Sequence, residues 1–340
     1  METKAEKLFI PADWKYWIAE NLLLGGAPDD LKRVLARNGF PQDLASLEVD
    51  AAAAHPYLDA ARSLGRRIAK RDWVLNTLRA LEPQETAAIV DRREDLSADE
   101  FFNEYYRWNR PVVLTKVLQK WPALERWTPK YLRSRCGERL VEIQANRESD
   151  PRYEIDSDAH KTSMKFSNVI DLIESGRESN DYYMTANNAD INGAALRELW
   201  DDIDALPQYL DPQQADGSTF FWYGPAGTVT PLHHDLTNNF MAQVRGRKLI
   251  KLISPAHLPL IYNHHHCYSR FDLDNIDYEQ FPLFRQVTVH EITLHPGELF
   301  FLPVGWWHYV RGLDVTITIT CTNFRVFNDF AKSYKTFAAI

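Results

Sequence analysis

Two histidines and one aspartate in the C-terminal half of the chain have the types and spacing of metal ligands. His233 and Asp235 lie two residues apart in Thr-Pro-Leu-His-His-Asp, and side chains at i and i+2 of an extended segment share a face. His308 ends a second motif, Leu-Pro-Val-Gly-Trp-Trp-His. Two histidines and a carboxylate on one face of a metal leave three positions open, which suits a non-heme Fe(II) centre. A His-x-Asp pair alone is common by chance, so this prediction needs further support.

Polar residues on apolar strand faces provide a second signal. Lys248 has the same strand phase as Ile250 and Leu252, so we predict that it points inward. An unpaired buried ammonium is costly, and an inward lysine therefore requires an anion such as a dicarboxylate. The alternatives are that Lys248 reaches the rim of the barrel or forms a structural ion pair. Asn323 has the same phase as Ile317, which predicts another interior polar group.

The elements that must position these residues fall into regions with different sequence patterns. Residues 1–88 are predicted to be helical, with a long helix from Pro56 to Leu81 that either packs along the rest of the chain or forms a homodimer. Residues 89–328 are predicted to form the catalytic domain, because several short β-rich runs after Thr219 indicate an antiparallel sandwich or barrel. Residues 329–340 are predicted to be a C-terminal tail.

Composition excludes several classes of function. The chain has 340 residues and a net charge of −8, which argues against broad nucleic-acid binding. Its three cysteines are too few and too far apart for a disulfide framework, which favours a reducing compartment. An N-terminal signal peptide and a long apolar segment are both lacking, so we expect a cytoplasmic protein that does not bind a membrane.

Five ordered motifs between Phe220 and Phe324 carry a family resemblance. They are TPLHHD with NF following, GRK at 246–248, DLDNIDYEQFP at 272–282, PGELFFLPVGWWH at 296–308 and TITITCTNF at 316–324. Together they resemble the JmjC or cupin-like 2-oxoglutarate oxygenases, particularly the branch of the asparaginyl hydroxylase of hypoxia-inducible factor and its bacterial relatives. The similarity weakens back to Asp95 and does not cover the N-terminal helices.

The resemblance implies a fold, two cofactors and a set of site residues. The implied fold is mainly β with helical additions, a double-stranded β-helix (jelly-roll) core preceded by the N-terminal helical region. The implied metal is Fe(II), bound by His233, Asp235 and His308. The implied cosubstrate is 2-oxoglutarate, bound by Lys248, Thr230 and Tyr183, with Asn239 and Asn323 flanking it and the iron. Tyr182 is the competing candidate for the tyrosine position.

The activity implied is hydroxylation, with O2 and 2-oxoglutarate, of an amino-acid side chain in a protein or peptide. Hydroxylation of a free amino acid or other small molecule, and demethylation, are alternative outcomes of the same chemistry. A non-catalytic binding protein is disfavoured because the three ligands and Lys248 are all present. The loop containing His264–His266 and the residue Arg325 depart from the family pattern, so the substrate stays open. We expect these histidines to face solvent or substrate, because adjacent residues cannot all face one ion.

Overall fold

The computed structural model describes residues 9–335 of the chain. The chain divides into two compact units between Ala80 and Leu81. The sequence pattern predicted this boundary at residue 88. The outermost parts of the predicted terminal regions, residues 1–8 and 336–340, lie outside the described residues. Among the helices that are described, none combines the length and the apolarity that a bilayer crossing requires.

The first unit is a group of four helices. They are α1 (Ala12–Leu23), α2 (Pro28–Arg37), α3 (Gln42–Ala53) and α4 (Pro56–Ala80). Pro28 occupies the first turn of α2, where its missing N–H costs no hydrogen bond. Gly39 follows that helix with a positive φ of 85°, a conformation that glycine adopts without strain. Ile18, Leu35 and Leu58 belong to the apolar core of this unit.

The second unit combines short helices with many strands. Its helices are α5 (Thr86–Ile89), α6 (Ala98–Glu100), α7 (Ala123–Arg126), α8 (Pro129–Cys136), α9 (Phe166–Ile173) and α10 (Ala189–Ala195), with a π-helix at Phe101–Tyr106. Its 3-10 helices are Arg147–Ser149, Ser157–His160, Ala186–Asn188, Arg197–Asp202, Pro212–Gln214, Pro255–Leu260, Pro282–Gln286 and Ala331–Ser333. Its strands are β1 (Asp91–Arg93), β2 (Val112–Leu114), β3 (Leu140–Gln144), β4 (Lys161–Lys165), β5 (Thr219–Gly224), β6 (Val229–His234), β7 (Asn239–Arg245), β8 (Lys248–Ile253), β9 (Asn263–His265), β10 (Tyr268–Ser269), β11 (His290–Leu294), β12 (Leu299–Leu302), β13 (Trp307–Gly312) and β14 (Thr316–Cys321).

Two six-stranded sheets form a sandwich. The first sheet has the order β1-β2-β12-β7-β14-β5, and the second has the order β11-β8-β13-β6-β10-β9. From β5 to β8, and again from β11 to β14, the chain alternates between the two sheets, and the pairing of these strands is antiparallel. This is the topology of a double-stranded β-helix, so the predicted fold class is confirmed. The strands β3 and β4 form a separate hairpin.

The first sheet is buried on both faces. Its inner face contributes Met241 and Phe300 to a core shared with Ile250 of the second sheet. Its outer face packs Phe301 and Ile319, among others, into the core that contains the helical residues of α8, α9 and the π-helix. All six residues of β14 are therefore buried. On such a strand an apolar residue does not identify the face that lines the interior of the sandwich.

The helix α4 carries an exposed apolar stripe along its 25 residues. Tyr57, Leu64, Ile68 and Leu78 lie on one face at helical spacing, and each is between 49% and 81% exposed. Leu58 is the buried residue of this helix. A stripe of this length is long enough for a second copy of α4 to cover it, as the dimer alternative requires.

We expect the intact chain to form a homodimer through α4 at micromolar concentration. The substitution Ile68→Glu should shift the protein to a monomer, because it places a charge at the centre of the apolar stripe. Ala69→Glu adds the same charge at an exposed position off the stripe and should leave the dimer intact. Multi-angle light scattering measures the mass, and a monomeric wild-type protein would eliminate the dimer.

Candidate metal centre

A cavity of about 430 Å³ lies between the two sheets at one end of the sandwich. It contains the three predicted metal ligands and most of the predicted cosubstrate residues. The predicted site residues that line it are His233, Asp235, His308, Lys248, Thr230, Tyr183 and Asn239. Residues far apart in the sequence thus meet at one place in the fold.

The register of two neighbouring strands brings the metal ligands together. His308 on β13 is the Cα partner of His233 on β6, and the two rings have centroids 4.1 Å apart. Asp235 directly follows β6, with its Oδ1 3.7 Å from Nε2 of His233. One ligand atom from each residue lies within 4.8 Å of the others, and within residues 9–335 this is the only such group of three or more His, Cys, Asp or Glu side chains. This is a facial arrangement of two imidazoles and one carboxylate, and it fits Fe(II).

Hydrogen bonds with backbone carbonyls and with a side-chain amide orient the three predicted ligands. Nδ1 of His233 lies 2.8 Å from the Pro231 carbonyl oxygen, and Nδ1 of His308 lies 3.0 Å from that of Trp306. A proton on Nδ1 donates to each carbonyl and leaves Nε2 free to coordinate. Burial, with the nearby His308, holds the pKa of His233 below its usual range, so its ring is neutral at pH 7. Nδ2 of Asn239 lies 3.4 Å from Oδ2 of Asp235 and donates to it.

Lys248 lies at the interior of the same cavity. Only 2% of the residue is exposed, and its Nζ donates a hydrogen bond of 3.0 Å to Oη of Tyr183. Burial lowers the pKa of Lys248 to about 7, since removal from water disfavours the charged ammonium. An anionic group at this position would restore its charge. The prediction that Lys248 points inward therefore agrees with its placement.

Tyr183, and not the neighbouring Tyr182, faces Lys248. The hydroxyl of Tyr182 instead donates to the backbone carbonyl of Leu172, while Tyr183 lines the cavity. A close approach by Gly224 on β5 makes room for the ring, since a Cβ at that position would lie 2.6 Å from Cδ2 of Tyr183. The position of the Tyr183 ring in the cavity wall thus depends on the absence of a side chain at Gly224.

Asn323 is buried but is not among the residues that line the cavity, although the strand phase predicted that it would point inward. Its Nδ2 donates to the backbone carbonyl of Asp211, 2.8 Å away. The phase argument failed because β14 is buried on both faces: Ile317 belongs to the outer core that packs on helices, while Thr320 and Thr322 face the cavity. In this part of the chain the polar side chains, and not the apolar ones, face the cavity between the two sheets.

The three consecutive histidines, His264–His266, lie in different environments. They lie in a hairpin made by β9 and β10, with His266 at a positive φ of 45°. His266 lines the cavity, and His264 and His265 do not. His234, between the two metal ligands, also lies at the cavity wall and packs edge-on against Trp307. Arg325 is exposed and donates to the Pro207 carbonyl, away from the cavity lining.

Two residues that line the cavity, Trp222 and Glu154, had no clear signal in the sequence. Trp222 lines the cavity and donates from Nε1 to Oγ1 of Thr320 at 2.9 Å. Glu154 also lines it and forms a 2.7 Å ion pair with the fully buried Arg147. The alternation of β5 could have identified Trp222 as inward, whereas Glu154 and Arg147 lie in an irregular segment without a periodic pattern.

A double-stranded β-helix that places a two-histidine, one-carboxylate group beside a buried lysine defines a cupin-type oxygenase architecture. Residues 98–329 match the family model of the cupin-like domain. The chain belongs to the JmjC/cupin-like 2-oxoglutarate oxygenase family.

Several named proteins are similar to this chain. Lysine-specific demethylase 8 of Xenopus tropicalis is 33% identical over 66% of this chain and 50% of its own length. Lysine-specific demethylase JMJ30 of Arabidopsis thaliana is 32% identical over 69% of this chain and 54% of its own length. Jumonji C domain-containing protein 5 of Drosophila melanogaster is 30% identical over 80% and 67%, respectively. The chain thus spans about half the length of the first two relatives.

We expect His308→Ala to lose tight Fe(II) binding while the protein stays folded, because two remaining ligands bind a divalent ion much more weakly than three. Anaerobic metal analysis gives the iron stoichiometry, and circular dichroism reports the fold. His265→Ala removes a histidine outside the cavity and should keep the iron. Iron bound by His308→Ala at the wild-type stoichiometry and affinity would refute the ligand assignment.

Proposed function

We propose that this protein is an Fe(II)- and 2-oxoglutarate-dependent oxygenase that hydroxylates an amino-acid side chain in a protein or peptide. The observation that carries the proposal is that the ligand group and the buried Lys248 line one cavity. A metal centre alone would suit many reactions. A buried cation beside it suits a cosubstrate with two carboxylates, one at the metal and one at Lys248.

Each residue then has a specific task. His233, Asp235 and His308 would hold Fe(II), and the metal would supply the chemistry by which O2 and 2-oxoglutarate oxidise a C–H bond. Lys248 and Tyr183 bind the distal carboxylate of 2-oxoglutarate, since a buried ammonium and a hydroxyl offer it two donors. Thr230, 9% exposed at the cavity wall, adds a third donor.

Asn239 orients one metal ligand through its hydrogen bond to Asp235, and it extends from β7 into the cavity. Its Oδ1 is buried without a hydrogen-bond partner, so it can accept a hydrogen bond from a group bound beside the metal. Tyr268 stacks on the ring of His233 and contributes an aromatic wall that limits water near the metal, and Trp222 contributes an aromatic wall beside Lys248.

The substrate class is supported by the relatives. Two of them are named lysine-specific demethylases. Lysine in a protein has a long side chain that can extend into such a cavity. Demethylation is the second candidate, since hydroxylation of an N-methyl carbon releases formaldehyde. A free amino acid or another small molecule is the third.

A comparison of substrates tests the proposal. The iron-loaded enzyme is incubated with 2-oxoglutarate and either a peptide library or free amino acids, and mass spectrometry detects a gain of one oxygen with succinate formation. We expect peptides to gain oxygen. Loss of a methyl mass with formaldehyde release would support demethylation instead, and oxidation of free amino acids alone would refute the protein-hydroxylase assignment.

We expect Lys248→Ala to weaken 2-oxoglutarate binding by about 100-fold or more, because removing one partner of a buried charge pair typically costs about 3–5 kcal/mol. Lys248→Arg should also bind weakly, because a planar guanidinium does not replace a point charge in a packed interior. Lys251→Ala, on the same strand but outside the cavity, is the control. Titration calorimetry with Mn(II) in place of iron measures the affinity, and an unchanged value in Lys248→Ala would show that another cation holds the cosubstrate.

The affinity for 2-oxoglutarate should decrease as the pH rises above about 7. The pKa of Lys248 is about 7 in the free protein, so the amine is mostly neutral at about pH 8, and a bound carboxylate raises its pKa. Binding should therefore take up a proton at about pH 8 and almost none at about pH 6. Calorimetry in two buffers of different ionisation enthalpy measures this uptake, and equal heats in both buffers at the higher pH would contradict the expectation.

A further inference from the structure

A second cavity of about 380 Å³ adjoins the metal centre. It lies between the segment 151–155, the segment 268–274 and the outer sides of β6 and β13. Glu154 and Tyr268 line both cavities, so these two side chains form the wall between them.

The distance between the two cavities is that of neighbouring residues in a peptide. The ring of Tyr268 stacks on that of the metal ligand His233, with centroids 5.8 Å apart, and the two residues are Cα partners of β10 and β6. The second cavity therefore begins one aromatic ring away from a metal ligand. Side chains at i and i+2 of an extended peptide are about 6.5–7 Å apart, so a peptide with one residue at the metal can place a close neighbour in this cavity.

The lining of the second cavity combines aromatic and aliphatic side chains with polar and charged ones. Tyr153, Ile155, Val229, Pro231, Phe271 and Tyr309 contribute to it. Among them, Phe271 and Tyr309 are buried, and Ile155 is half-buried. Such a surface favours an apolar side chain, because burying apolar area is favourable and a charged group there would lose its hydration.

The charged groups around this cavity are largely neutralised within the protein. Asp274 lies 2.7 Å from Nζ of Lys251, Arg152 is paired with Asp156 at 2.9 Å, and Glu154 is paired with Arg147. Arg270 and Asp272, which are exposed and carry opposite charges, also line the cavity. The cavity thus has no net charge that would select a basic or an acidic side chain.

We propose that this second cavity is a subsite for an apolar side chain, aromatic or branched aliphatic, that lies within two residues of the oxidised position in a peptide substrate. The proposal rests on the proposed function, since it assigns part of the substrate of the same metal centre. It also explains why Glu154 is held by a buried arginine: the ion pair fixes the wall between the target site and the neighbouring residue.

The test uses the iron-loaded full chain with 2-oxoglutarate and a positional-scanning peptide library, in which single positions are fixed as Phe, Leu, Ala, Asp or Lys. We expect Phe or Leu at one position near the oxidised residue to raise kcat/KM about tenfold or more over Asp, mainly through KM. Ile155→Asp should remove this preference and favour Lys at the same position. Ile155→Leu should retain the apolar preference, and Leu258→Asp, an exposed site outside both cavities, should behave as the wild type.

The outcomes separate the two claims. A gained preference for Lys in Ile155→Asp cannot come from misfolding, because an unfolded variant acquires no new selectivity. Oxidised peptides that show no preference near the target, or an apolar preference that Ile155→Asp leaves unchanged, overturn the subsite and leave the proposed function standing. Failure to oxidise any peptide overturns the proposed function, and the subsite with it.

Discussion

The antiparallel register between β6 and β13 is the constraint on which the metal centre depends. It makes His308 the partner of His233, and Asp235 takes its place because it follows β6 directly. A shift of the register by one residue would turn a ligand to the opposite face of the sheet. The central location of β13, between β8 and β6, opposes such a shift, since β13 pairs with β8 without interruption and with β6 across an irregularity that follows His308. The interior of the sandwich can therefore carry a reactive group without losing its geometry.

Two cations are buried near this centre, and their partners distinguish their roles. Arg147 has an internal carboxylate in Glu154, and it also donates to Asn180 and to the Val229 carbonyl. It is a structural residue that ties the irregular segment to the start of β6. Lys248 has a neutral hydroxyl as its protein partner, and its charge is compensated only by something that enters the cavity. Burial alone does not identify a binding residue, whereas burial with an incomplete set of partners does.

The inward direction of Lys248 could be predicted from the sequence because β8 alternates between buried and half-buried residues over most of its length. The same reasoning failed for Asn323, since β14 is buried on both faces and its apolar residues pack on helices. The strand β1, Asp-Arg-Arg, has no apolar residue to reveal it, and it is held by parallel pairing to β2. Glu154 reaches the cavity through long-range contacts that no local pattern encodes. Local periodicity thus predicted the helix α4 and much of the sandwich, and it could not predict the walls contributed by irregular segments.

Gly224 gives the anion end of the cavity its width. Its missing Cβ lets the ring of Tyr183 approach the backbone of β5, and Thr228 on the other side is equally close, at 2.7 Å from the position of that Cβ. Any side chain at 224 would force the ring away from the strand, towards the group that it bonds, Lys248. In the proposed site, the length of the acid that could extend between Lys248 and the three candidate metal ligands would therefore depend on a position with no functional group of its own. Exchanging this one hydrogen atom for a methyl group would then favour a shorter 2-oxo acid over a longer one.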